Sequence, residues 1–391
     1  MDSQRAEPIL ARREVLKDWL LSAVGMATGL ACFPMAGAGF ERSDGSLLQT
    51  VEFLNEGNVA LDAPTGEELD GRLYSDLSRL DLERPITPPD KFYIRTRSSP
   101  LLPRSNPWHI KIDGLVDREM AIDVAQLRTQ SRAMGPHLME CSGNNRATRF
   151  GLLSVANWTG IPLATIIENS RPVGRASRVV VSGFDEYRSP SVNSIPGASW
   201  NFALDEIASS KAFLATDMAG RPLTKDHGAP IRLVMPGWYG CACIKWVQTI
   251  TLADQETEST SQMREFASRT GQNGVPDLAR DFSPAIIQLG AMPIRIEKRR
   301  ANQKIHYRVV GLCWGGSRPA TSLFIRFNPE EDYVPVQHFR PATDGLWTVW
   351  THDWFPARPG KFLIRLMTKD VGLTQRINSG YFVREVEIED V

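Results

Sequence analysis

The sequence predicts an α+β protein, with a mixed α/β domain over residues 90–255 followed by a β-sandwich over residues 284–391. Three observations carry this. A chain of 391 residues is too long for one small core, so two domains plus a tail are expected. From Ala253 to about Pro284 the chain turns polar, through Asp254-Gln255-Glu256-Thr257-Glu258-Ser259 and later Arg269-Thr270-Gly271-Gln272-Asn273-Gly274, and residues 256–283 read as a linker. Beyond it, apolar and β-branched runs recur at short spacing between Gly and Pro turns. They are Met292–Ile296, His306–Leu312, Ser322–Phe327, Leu346–Trp350, Lys361–Met367 and Tyr381–Val386. Strands repeated in this way indicate a small sandwich.

Composition narrows the function without naming it. Apolar residues make up 42% and charged residues 23%, an ordinary globular balance. Lys+Arg and Asp+Glu are both 45, so no global field points to nucleic acid, and a bound anion must be held by local clusters. The five cysteines, Cys32, Cys141, Cys241, Cys243 and Cys313, are too sparse for a disulfide framework. Cys241-Ala242-Cys243 is too tight for a zinc pair and reads as buried strand.

The amino terminus has paired arginines, Arg12-Arg13, a weakly apolar run from Trp19 to Phe33, and Ala36-Gly37-Ala38. These are the parts of a twin-arginine export signal over residues 1–38, which implies a periplasmic protein exported already folded. The run is too short and too rich in Gly and Ala for a convincing membrane span. Residues 39–89 form an extension ending in Arg84-Pro85-Ile86-Thr87-Pro88-Pro89, where prolines forbid continued helix.

Within 90–255, Lys91–Arg97 reads as a strand whose alternation places Arg95 and Arg97 on one face. Trp108–Val116 alternates and turns at Asp113-Gly114, Arg178–Gly183 is a β-branched strand, and Phe213–Leu223 is a hairpin. Leu163, Ile166 and Ile167 are spaced as on a helix. The chemical centre is Met139-Glu140-Cys141-Ser142-Gly143-Asn144-Asn145-Arg146, a lone cysteine between an acid and a Gly-Asn-Asn-Arg turn. A thiol acts as ligand or nucleophile only as thiolate, which nearby cations and turn N–H groups stabilise. A lone cysteine is also a common buried apolar residue, so the neighbours decide.

Glu140-Cys141-Ser142-Gly143-Asn144-Asn145-Arg146, with Trp158-Thr159-Gly160-Ile161-Pro162-Leu163 after it, resembles the sulfite oxidase family of molybdopterin enzymes. The resemblance implies that Cys141 is the metal ligand, and that Arg95, in Phe92-Tyr93-Ile94-Arg95, and Arg146 face a substrate oxyanion with Trp158 walling the pocket. A second matching stretch, His227-Gly228-Ala229-Pro230-Ile231-Arg232 to Lys245-Trp246, implies His227, Arg232 and Lys245 as donors to the pterin and phosphate. Ser194, in Ser194-Ile195-Pro196, and Arg97, where the family often has His, join that cofactor set by the same resemblance. Gly311–Gly316 is similar to the family's carboxy-terminal immunoglobulin-like dimerisation domain, which implies a homodimer, and Arg318 falls where a third substrate arginine is expected.

The cofactor implied is molybdenum–molybdopterin, and the activity is oxidation of sulfite or a similar small anionic substrate. The chain has no Cys-x-x-Cys-His, so electrons are expected to leave through a c-type cytochrome partner. One departure weakens the substrate assignment: residues 256–266 lack the tyrosine that family sulfite oxidisers place there. A molybdopterin sulfoxide reductase and a non-catalytic binding protein on the same scaffold remain as alternatives.

Overall fold

Strand pairing, rather than helix packing, organises the chain. The computed structural model describes residues 45–103, 107–341, 346–373, 376 and 382–391. The proposed export signal therefore lies outside the described residues. In chain order the strands are β1 (Ser46–Val51), β2 (Phe53–Leu54), β3 (His109–Gly114), β4 (Met120–Asp123), β5 (Arg132–Glu140), β6 (Leu153–Pro162) and β7 (Arg178–Gly183). They continue as β8 (Ser199–Ala203), β9 (Phe213–Met218), β10 (Arg221–Pro222), β11 (Arg232–Val234), β12 (Val247–Ala253) and β13 (Gly290–Ala301). The last are β14 (Lys304–Trp314), β15 (Phe324–Arg326), β16 (Val334–Pro335), β17 (His338–Phe339), β18 (Thr348–Trp354), β19 (Gly360–Met367) and β20 (Arg384–Ile388). The α-helices described are short: α1 (Val124–Arg128), α2 (Leu163–Asn169), α3 (Leu204–Ser210) and α4 (Ser261–Phe266). None is long and apolar enough to cross a membrane.

Two sheets build the amino-terminal half. One runs β10-β9-β6-β5 with β11 beside β9; the other runs β4-β3-β12-β7-β8. In the second, β3 and β12 are parallel although far apart in sequence, while their remaining pairings are antiparallel. The Phe213–Leu223 hairpin forms as its sequence implies, closed by Ala219 and Gly220, both at positive φ, a two-residue turn whose twist suits a hairpin. A single large core, including Ile112, Val155, Trp158, Val181, Phe202, Leu214 and Ile250, fills the space around these sheets.

The carboxy-terminal half is two further sheets, β1-β13-β14-β18-β17 and β16-β15-β19-β20-β2. Their inward residues, among them Ile296, Val309, Ile325, Trp350, Ile364 and Val386, share a second core, so the expected sandwich is present as two packed layers. Two expectations about boundaries need correction. Residues 46–54, assigned to an extension, supply β1 against β13 and β2 against β20. Residues 256–283, assigned to a linker, fold into α4 and short 3-10 turns. The pairing partners of residues 46–54 are distant in sequence, which leaves that segment with a weak local pattern.

An ion pair fixes the first of these. Arg384 on β20 donates to both carboxylate oxygens of Glu56 at 2.7 and 2.6 Å, to Pro293 O at 2.9 Å, and stacks over the Phe53 ring. The two side chains are only 7% and 5% exposed, so neither charge has water to fall back on. Glu56→Ala strands the guanidinium and is expected to cost about 3–5 kcal/mol in urea unfolding, whereas an exposed pair is worth under about 1 kcal/mol.

Candidate active site

The end of β5 delivers Cys141 into a tight turn. Cys141 N donates to Leu152 O at 3.0 Å, Asn144 N donates back to Cys141 O at 2.9 Å, and Asn144 Oδ1 accepts from Leu152 N at 3.1 Å. The thiol is buried, and Gly143 N–H points at its Sγ from 3.4 Å. Burial pushes the thiol up from its ordinary value, opposed by Arg95, by the Gly143 N–H and by Arg269. A coordinated cation reverses that balance, because a metal-bound thiol deprotonates outright.

Two cavities meet beside this turn, and Arg95 lines both. The first, about 140 Å³, is lined by Cys141, Arg95, Ser194, His227, Arg232 and Lys245 together with Asp185, Tyr187, Cys241 and Cys243. Gly240 gives it close walls: a Cβ there would collide with the Tyr93 hydroxyl. Lys245 is half-buried, and its ammonium donates to the carbonyls of Thr96 and Asp226; burial and the neighbouring Arg232 hold it well below the usual lysine value. Arg232 donates to His227 O and Cys243 O while its buried Nε has no protein partner. The buried Asp185 Oδ1 lacks one as well.

The second cavity, about 580 Å³, is lined by Asp70, Arg72, Tyr74, Arg95, Ser142, Gly143, Asn193 and Arg269, among others. Arg72 Nη2 and Arg95 Nη1 both donate to the one Ser194 hydroxyl at 3.0 Å. Crowding of like charge shows in Arg72, pushed down to about 10 by burial and by Arg95, though still a cation near neutrality. Arg269 reaches within 3.9 Å of where a Cβ on Gly143 would stand.

Several expected roles change. Lys91–Arg97 forms no regular strand; its ladder contact is the bridge between Ile94 and Leu73, so Arg95 and Arg97 do not share a face. Arg97 turns to Asp226 at 2.9 Å and to Gly66 O, and lines neither cavity. Arg146 starts a 3-10 turn capped by Asn145 and donates to Val383 O at 2.5 Å, which draws its guanidinium off the cavities. Arg318 follows the Gly315-Gly316 turn to the surface and pairs with Asp370 at 3.8 Å. Trp158, 2% exposed, is packed inside the core against Phe92 and under Arg232 and lines neither of the two cavities. Cys241 and Cys243 sit on a 3-10 turn and its cap rather than on a strand, and line the first cavity.

His227 lines the first cavity with both ring nitrogens engaged: Nε2–H donates to Phe92 O at 3.0 Å and Nδ1 lies 2.8 Å from the Thr224 hydroxyl. Its part is therefore to shape the wall. Burial, with Arg232 and Lys245 adding to it, pushes the imidazole down to about 4. A base whose folded value is lowered is neutral in the fold and takes up a proton first when unfolded. This stabilisation is complete above about pH 6.5 and is lost as pH falls toward 4, by about 3 kcal/mol in all. Urea titrations between pH 7 and 4 are expected to show that fall, and a His227→Asn chain should lack most of it.

Sequence reading missed Arg72, Arg269, Gln262, Glu265 and Phe266. The last four belong to the supposed linker, where Thr260 caps α4 through the Met263 N–H and Met263, Phe266 and Ala267 keep helical spacing. That pattern was available in the sequence. Arg72 carried no motif, and its side chain meets the site through Ser194, 122 positions on.

The donor set suits molybdenum–molybdopterin. A thiol lines a cavity whose walls also carry a half-buried lysine, a buried arginine with an unsatisfied Nε and an unsatisfied Asp185 oxygen, donors and acceptors for an anionic, hydrogen-bonding group.

Comparisons with known proteins agree. Residues 98–261 match the oxidoreductase molybdopterin binding domain. An NADPH nitrate reductase of Emericella nidulans is 29% identical over 190 residues, 44% of this chain and 21% of that protein. The protein-methionine-sulfoxide reductase catalytic subunit MsrP of Gluconobacter oxydans is 32% identical over 163 residues, 39% of this chain. The match spans 49% of the Gluconobacter subunit, so these relatives are matched over half of their length or less. The sulfane dehydrogenase SoxCD of Paracoccus pantotrophus superposes with a TM-score of 0.60 at 17% identity, covering 94% of this chain and 96% of that one, a likeness of fold. Residues 98–261 therefore form an oxidoreductase molybdopterin-binding domain, whose cofactor is molybdenum–molybdopterin.

Proposed function

We propose that this protein oxidises sulfite, or a similar small sulfur oxyanion, to sulfate and passes the electrons to a c-type cytochrome. The observation that carries the reading is the trio Arg72, Arg95 and Arg269 around the second cavity, beside Cys141. Arg72 and Arg95 crowd one neutral hydroxyl, so a small anion between them relieves repulsion and accepts planar, charge-assisted hydrogen bonds. Tyr74 lines the same cavity and offers a phenol there, from a part of the chain unrelated to the missing family tyrosine. Cys141 would hold the metal, while Lys245, Arg232 and Ser194 would line the cofactor's cavity. Molybdenum, when bound, supplies two-electron oxo-exchange chemistry, and the chain supplies ligation, orientation and field.

Export by the twin-arginine route, and a homodimer formed through an immunoglobulin-like carboxy-terminal domain, belong to the same proposal; cell fractionation and sedimentation check them. The decisive test is a substrate panel on molybdenum-loaded protein. Sulfite oxidation with an artificial acceptor or cytochrome c is expected, possessing saturation in sulfite. Methionine sulfoxide reduction without sulfite oxidation replaces this reading by the reductase chemistry that the MsrP relative's name describes, and nitrate reduction alone replaces it by that of the nitrate reductases.

A further inference from the structure

We infer that the buried hydrogen bond between Glu140 and Trp314 makes the carboxy-terminal sandwich a positioning element for the metal-ligating thiol. The inference rests on the reading of Cys141 as the metal ligand. Glu140 is the last residue of β5 and 0% exposed. Its Oε2 accepts from Trp314 Nε1 at 2.9 Å, and its Oε1 accepts from Asn144 Nδ2 at 3.3 Å. Trp314 is the last residue of β14, in the sandwich, so the bond spans 174 positions of sequence and ties the two halves together.

The position of the bond gives it leverage. Consecutive side chains leave an extended backbone on opposite sides, so with Glu140 turned to the sandwich, Cys141 is turned to the cofactor cavity. Any roll of the strand end moves both. The far end of the tether is held fast: Trp314 packs edge-on against Phe382 at 5.0 Å, and a Cβ on Gly290 would stand 2.8 Å from both rings. The near end is held through Asn144, whose Oδ1 and backbone N–H close the Cys141 turn. One carboxylate thus sets the torsional register of the sulfur from two directions, as outer-shell partners of metal ligands do elsewhere.

Trp314→Phe keeps the ring packing and removes the donor. Glu140→Gln keeps the volume and leaves one of the two donors facing an amide NH2. Both variants are assayed as molybdenum-loaded full chains, with rates expressed per molybdenum. Both are expected to change the metal's electron paramagnetic resonance spectrum in the same direction and to lower kcat by about 10-fold or more, while KM stays within about twofold. A purely structural bond would lower the yield of folded, loaded enzyme and leave spectrum and kcat per molybdenum as in the parent; that result overturns the inference. Cys141→Ser separates the two readings. If it leaves the spectrum unchanged, the ligand assignment fails; if it changes the spectrum while both tether variants do not, the positioning role alone fails.

Discussion

Cys141→Ser is expected to abolish molybdenum-dependent turnover while leaving the chain folded. The cavity wall holds three thiols, Cys141, Cys241 and Cys243, so the identity of the ligand is a question of environment rather than of residue type. Cys141 stands in a turn whose N–H group faces its sulfur, with Arg95 and Arg269 acting on it. Burial pushes Cys241 above the usual thiol range, and Cys141 adds to that rise. Cys243 has a comparable N–H contact, from Met235 N at 3.4 Å, but a single arginine, Arg232, acting on its sulfur where Cys141 has two. A hydroxyl in place of the Cys141 sulfur is close in size and can still accept from Gly143 N, so the fold should lose no more than about 1–3 kcal/mol, the cost of burying its O–H. Metal analysis, the metal's absorption and resonance spectra, and thermal unfolding check the three parts separately. Normal turnover in this variant, or the same loss from Cys243→Ser, would move the ligand elsewhere.

What the sequence disclosed and what it hid follow from how each feature is encoded. Cys141 sits in a motif whose neighbours in the chain are also its neighbours in space, since the turn at Gly143-Asn144 is local. The sandwich strands carry their own alternation and were legible for the same reason. Arg146 stands apart from both cavities because a position in a motif fixes where the backbone goes and says little of where a long side chain ends. Here the Asn145 cap and Val383 O settle it. β1 was hidden for the opposite reason, since it is placed by β13, far away in sequence; the Arg72 side chain likewise finds its partner, Ser194, 122 positions on. Trp158 shows a third case. Aromatic residues beside a functional motif are as readily core as wall, and β6 turns this one inward.

Replacing Arg95 with Gln is expected to raise KM for sulfite by about 10-fold to 100-fold, with a smaller change in the rate at saturation. Arg95 is common to the two cavities and donates to Ser194, so its guanidinium lies where the proposed cofactor and anion cavities join. A charge-assisted hydrogen bond is worth about 1.5–3 kcal/mol, and a contact made to the anion in both ground and transition states appears mainly in KM. Two opposing effects need to be weighed. Removing Arg95 relieves the burial-strained Arg72, which regains basicity and part of the anion's attraction. Glutamine, however, presents one NH2 where arginine presented a planar fork, so the geometry of recognition is not restored. Arg95→Lys discriminates further: it restores charge without the fork and should recover only part of the loss. Arg146→Gln supplies the contrast, because its guanidinium is spent on Val383 O and KM should stay within about twofold. Steady-state kinetics on preparations matched for molybdenum content decide between them. If Arg146→Gln raises KM and Arg95→Gln does not, the anion sits on the side of the turn that the sequence motif implied, and the cavity lined by Arg72, Arg95 and Arg269 is not where substrate binds.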